Sequence, residues 1–309
     1  MLENPQKTIK EPIELDGVGL HNGLPVKICL KPAEVNSGIV FKRVDVRNSN
    51  NLIKANYKNV SEPILCTKIK NSDGVSVSTI EHLMAVFYGE GIDNILVEID
   101  APEVPIMDGS SFDFVTAIRS FGVQTQNFPR KFIKILKKIE IKEGPKSISI
   151  EPLEKDLIID FEIVYENPLI RKRRKEFKFS SGDLTAIYNS KTFCLYEDID
   201  KIKSQGLAKG GSLENAIVVR DDKILNDDGL RYRDEFVNHK ILDCLGDLML
   251  SGYRVYGHIK TSQGGHQLTN SLLRKLFSDD SNWEFDNSAG KEKGNAKDGI
   301  YARPIVVNA

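Results

Sequence analysis

The chain has 309 residues, with 43 Lys and Arg against 44 Asp and Glu and a formal net charge of −1. At 40% hydrophobic and 28% charged residues it has the make-up of a folded globular protein of up to two domains, which excludes a disordered or fibrous chain. The balanced charge argues against a protein devoted to gripping nucleic acid, no run approaches the ~18 apolar residues of a membrane-crossing helix, and the scattered Cys29, Cys66, Cys194 and Cys244 form neither a disulfide framework nor a C-x-x-C pair.

In chain order, alternating apolar residues predict strands at 24–30, 39–44 and 94–99. A helix is predicted from Ser78 and Thr79 through EHLMAVFYG, ending before Gly89 or Gly91, and a second over 111–121. The polar, Pro-containing stretch 122–131 predicts a domain boundary. Beyond it, strands are expected at 132–141, 147–150, 157–165 and 217–219, then a long helix over 234–251, a strand over 253–260 and a helix after His266. The polar, Gly-rich residues after Trp283 predict a flexible tail. Strands and helices in both halves predict an α+β fold of two similar layered units: 1–126, 127–284 and a tail over 285–309. MLENPQKTIKEP has no apolar signal core, so the cytoplasm is the expected compartment.

Three patterns could carry chemistry. On the long helix, His239, Asp243 and Asp247 are spaced four apart and share one face, while Val237, Ile241, Cys244, Leu245 and Leu248 form a separate apolar stripe. An imidazole and a carboxylate at i and i+4 can close on one metal ion, although a lone H-x-x-x-D also describes a solvated helix face with an internal ion pair. At Glu81 and His82, an inward imidazole could ligate metal with the carboxylate beside it as a base, yet Ser78 to Glu81 also fits an S-x-x-E capping box. Gly264, Gly265 and His266 place an imidazole at a helix start, where Asp247 could hold it as a cation, or where it is merely a surface histidine.

These pieces sit within longer motifs: GVGLHNG at 17–23, TIEHLMA at 79–85, APEVPIMDGS at 101–110, DGLR at 228–231, DEFVNHKILDCLGDL at 234–248 and GH at 265–266. Together and in this order they resemble the zinc-dependent UDP-3-O-acyl-N-acetylglucosamine deacetylases of lipid A synthesis, over nearly the whole chain up to about Phe277. The resemblance implies two similar α+β domains, each a sheet with two helices, packed with the helices between the sheets and the active site at their interface.

It further implies that His82, His239 and Asp243 ligate Zn2+, with Fe2+ also compatible with nitrogen and oxygen donors. Glu81 is then the base, His266 held by Asp247 the cation near the leaving nitrogen, Thr192 a hydroxyl donor to the oxyanion, and Lys240 a contact to substrate oxygens. An inserted segment, 193–219, implies an acyl channel formed by Phe193, Ile199, Ala208, Ser212 and Ala216 with Leu20, Leu65 and Cys66, its Gly206, Gly210 and Gly211 suiting a mobile lid. Two departures fall at the nucleotide end: Val164 and Tyr165 stand where the family has an aspartate-phenylalanine pair for the uracil, and Gln263 replaces a lysine found in some relatives near the diphosphate. The expected partner is an acylated UDP-amino sugar, with no nucleic acid and a monomeric state. An amidase of altered substrate, or a noncatalytic binding module, is the alternative. The basic run RKRRK at 171–175 reads as a solvated hairpin.

Overall fold

The computed structural model describes residues 4–286. Six α-helices occur among them: α1 (Glu81–Glu90), α2 (Phe112–Phe121), α3 (Leu184–Tyr188), α4 (Ile199–Ser204), α5 (Glu235–Leu248) and α6 (His266–Leu276). The first half forms a five-stranded sheet in the order Ile13–Val18, Pro25–Pro32, Ile95–Ile99, Ile39–Arg43, Leu52–Lys54, parallel only between the third and fourth. The alternating burial of Ile95–Ile99 is the pattern that periodicity predicts for a strand with one face on the core.

The second half forms a seven-stranded sheet around Arg254–Ser262, which runs parallel to Phe132–Ile135 and Leu157–Val164 and antiparallel to Lys146–Glu151. Helices α5 and α6 pack on this sheet, and α2 packs on the first. Between them, α1 lies against α5. Every residue of α5 except Lys240 is buried, as is α1 from Glu81 to Tyr88. Helices covered on all sides form the middle of a layered structure, and these two meet at the seam between the halves.

Their approach is set by Gly246. A Cβ built there would lie 2.0 Å from the Glu81 carbonyl oxygen, so the first turn of α1 rests on the bare backbone of α5. The apolar stripe read from the sequence therefore packs as expected, but the polar face of α5 is buried too, which a solvated helix face would not be.

The polar stretch expected as a domain boundary is mostly the strand Val123–Pro129, antiparallel to Pro5–Ile9; its partner lies at the other end of the first half, so local composition gives no sign of the pairing. Two expectations are corrected. The single strand expected over 132–141 is two, Phe132–Ile135 and Ile139–Glu143, because the segments pair with different neighbours. The strand Trp283–Asp286 pairs antiparallel with Phe132–Ile135, so Phe285 and Asp286 belong to the sheet; the remainder of the expected tail, 287–309, lies outside the described residues. The basic run falls on the strand Lys172–Lys178, a hairpin partner of Leu157–Val164, with Lys172 paired to Glu162 and Arg174 to Asp160.

Candidate active site

Helix α1 begins at Glu81 without a side-chain cap, so the S-x-x-E capping box does not form. Thr79 adopts a left-handed backbone (φ 57°) and donates its hydroxyl to Glu103 Oε1 at 2.8 Å, turning the chain into the helix. Glu81 is thereby free to face α5. Its Oε2 accepts the backbone N–H of Thr67 at 3.1 Å, and its Oε1 lies 3.8 Å from His266 Nε2.

One residue along, His82 meets the long helix. His82 Nε2 is 3.7 Å and His239 Nε2 3.4 Å from the same oxygen, Asp243 Oδ1, and the two rings stand edge to face with centroids 5.0 Å apart. These separations are too long for hydrogen bonds. They match the ~3.4 Å between donors arranged tetrahedrally around one cation at about 2.1 Å. His239 Nδ1 lies 3.0 Å from the Ser190 carbonyl, which can only accept, so that nitrogen carries the proton and Nε2 presents its lone pair. Lys240 Nζ donates to Asp243 Oδ2 at 2.8 Å, leaving Oδ1 to the imidazoles.

Charge states suit ligation. Burial, reinforced for His82 by its neighbour His239, holds His82 down to about 3 and His239 below its ordinary value, so both rings are neutral. Burial alone would raise Asp243, but His239, Lys240 and the other nearby imidazoles outweigh it and keep the carboxyl well below the usual range. The donor set thus fits a divalent metal. A second group of possible ligands, Asp160, Glu176 and His258, occurs among the described residues, but Arg174 engages both oxygens of Asp160.

The third pattern closes the site. His266, the first residue of α6, presents Nδ1 to Asp247 Oδ2 at 2.8 Å. Burial disfavours its charge, but Asp247 prevails and holds the imidazole up at about 9. Glu81 is pushed up to about 8 by burial, with His266 opposing and Asp243 and Asp247 adding to the rise. A carboxyl and an imidazole, both held above their ordinary values, thus flank the His82, His239 and Asp243 cluster.

The family model for UDP-3-O-acyl N-acetylglycosamine deacetylase matches residues 6–278. The chain belongs to this family. It is similar to proteins named UDP-3-O-acyl-N-acetylglucosamine deacetylase from Shewanella violacea (44% identical over 90% of this chain and 92% of that protein), Histophilus somni (44%, over 93% and 95%) and Vibrio campbellii (44%, over 98% and 99%).

The remaining residues expected at the site from the sequence fall into two groups. Phe193 stands edge-on to Tyr165 (5.7 Å), Phe236 (4.9 Å) and His239 (6.4 Å), with Lys240 Nζ 5.7 Å above its ring, so Phe193 and Lys240 adjoin the His82, His239 and Asp243 cluster and Tyr165 lies against Phe193. Thr192 is tied by its backbone to Gly109 and Ile217, each at 2.8 Å. Cys66 is buried beside Thr79 and Glu81, and burial pushes its thiol up to about 12.

Farther out, Gly210 N–H donates to the Leu20 carbonyl at 3.0 Å and Gly211 N–H to Ala208 at 3.2 Å, so the insert folds onto the GVGLHNG turn. Ser212 and Ala216 close one turn of the insert. Leu65 is 51% exposed, and Ile199 opens α4. A Cβ on Gly210 would lie 2.3 Å from the Gly19 carbonyl oxygen, so this glycine lets the insert pack closely on the turn. Gln263 takes a left-handed backbone (φ 51°) and donates its N–H to Glu162.

Sequence reasoning missed three residues that hold the site. Ser190 orients His239, Ser111 Oγ donates to the His82 carbonyl at 2.8 Å, and Thr67 donates its hydroxyl to Asp247 Oδ1 at 2.5 Å. None carries a local signal, since each acts across a long sequence interval.

Proposed function

We propose that the chain hydrolyses the N-acetyl group of UDP-3-O-acyl-N-acetylglucosamine, releasing acetate and the free amine, in the committed step of lipid A synthesis. The observation that carries this reading is the convergence of His82, His239 and Asp243 from both halves on one point, with Glu81 and His266 on its flank. Those three residues would hold a divalent ion, Zn2+ by the chemistry of two nitrogens and one oxygen, with Fe2+ also compatible. Such an ion polarises a carbonyl and acidifies water when bound.

The chain's own residues supply the proton traffic. Glu81 accepts the proton of the attacking water at Oε1, the oxygen left unclaimed by Thr67. His266, charged through Asp247, delivers a proton from Nε2 to the departing sugar nitrogen. Thr192 and Lys240 supply donors to the oxyanion and to sugar oxygens. Phe193, Ile199, Ala208, Ser212, Ala216, Leu20, Leu65 and Cys66 line the path of the acyl chain, and Tyr165 stacks on the uracil. No helix among the described residues is long and apolar enough to cross a membrane; a cytoplasmic monomer is part of the proposal.

The test is acetate release from the acylated UDP-sugar and from its deacylated counterpart, before and after chelation. Turnover that requires the acyl chain and stops on chelation is expected. Equal rates on both sugars argue for an amidase of altered substrate, and chelator-resistant turnover removes the metal from the reading.

A further inference from the structure

Thr67 lies in irregular chain just before the short strand Ile69–Lys70 and is 1% exposed. It has two hydrogen-bond donors, and each meets a different carboxylate: the backbone N–H meets Glu81 Oε2 at 3.1 Å and the hydroxyl meets Asp247 Oδ1 at 2.5 Å. The second oxygen of Asp247 is 2.8 Å from His266 Nδ1, and the second oxygen of Glu81 is 3.8 Å from His266 Nε2. The four residues therefore form a ring with three closed links and one open one. The open link lies between the base and the acid, where reactants must fit.

Resting on the functional reading above, we propose that Thr67 is a positioning residue that fixes the base on α1 and the Asp247–His266 couple at one separation across the seam of the halves. The argument is geometric. Glu81 and Asp247 belong to helices that share a crossing point but no covalent neighbour, and rotation of either carboxylate would widen or shut the open link. A single threonine with one rigid donor and one staggered hydroxyl sets both carboxylates against the same Cα. Because both of its donors are consumed by acceptors, both carboxylates present their remaining oxygens to His266.

The test uses the metal-loaded enzyme. Thr67→Val removes the hydroxyl while keeping the backbone N–H and the β-branch. It is expected to lower kcat ~10- to 100-fold with KM and metal content unchanged, the usual range for a residue that orients site groups. Thr67→Ser is expected to restore kcat to within about threefold, and Thr67→Val placed on Asp247→Asn to add little further loss, because the two act as one unit. Should Thr67→Val fail to fold, Thr67→Ala gives the same comparison. A kcat within about threefold of wild type in the valine or alanine variant, or losses that multiply fully with Asp247→Asn, overturn the role of Thr67 alone. Absence of turnover in the wild type, or undiminished turnover in Glu81→Ala, overturns the functional reading and this role with it.

Discussion

Replacing Gly246 by alanine probes the helix crossing on which the site depends. The added Cβ would sit 2.0 Å from the Glu81 carbonyl oxygen and 3.1 Å from the Ala85 nitrogen, whereas ordinary contact starts near 3.4 Å. The obstacle is backbone, so α1 must recede by roughly 1 Å or more, carrying Glu81 and His82 away from Asp243 and His266. Overpacking of this kind costs typically ~1–3 kcal/mol. Helix propensity alone would instead stabilise an alanine here by up to ~1 kcal/mol, so the sign of the change identifies the cause. A misplacement of ~1 Å at reacting groups costs about 10²-fold in rate. Thermal melting, metal titration and acetate release on one preparation read all three effects. A Gly246→Ala protein with wild-type melting and turnover refutes the claim that this close approach sets the site.

Three further outcomes follow from the same geometry. Glu81→Ala keeps its metal and loses ~10²- to 10⁴-fold in turnover, the worth of a placed base; near-normal activity reduces Glu81 to a structural acid. Asp243→Ala lowers metal occupancy, because it removes the one anionic donor of the three, and elemental analysis showing full metal content takes Asp243 out of the ligand set. In metal-free protein the His266 ring titrates near 9. Its native pKa lies above the unfolded value, so its stabilising contribution is complete below pH ~6.5 and disappears as pH rises through about 9. NMR should follow this titration, with Asp247→Asn moving it down, and an unmoved titration excludes Asp247 as its cause.

Much of the site was legible because its groups lie on helices at regular spacing. H-x-x-x-D on α5 places His239 and Asp243 on one side at any tertiary arrangement, and the adjacency of Glu81 and His82 guarantees that a carboxylate and an imidazole enter together. What spacing could not decide was whether that side of α5 faces water, since the answer depends on the close approach at Gly246. Thr67, Ser111 and Ser190 were illegible for a related reason: each is a single polar residue whose partner lies far along the chain. In the fold, strands with one buried face were readable from alternation, while Pro5–Ile9 and Val123–Pro129 were not, being defined by pairing with each other.

The seam location of the metal group gives the molecule an all-or-nothing character. His82 and Glu81 arrive on a helix of the first half, His239, Asp243, Asp247 and His266 on helices of the second. A nascent chain that has completed only its first half therefore holds His82 and Glu81 without the side chains they meet. The group of two imidazoles and one carboxylate therefore exists only once both halves of the chain have come together.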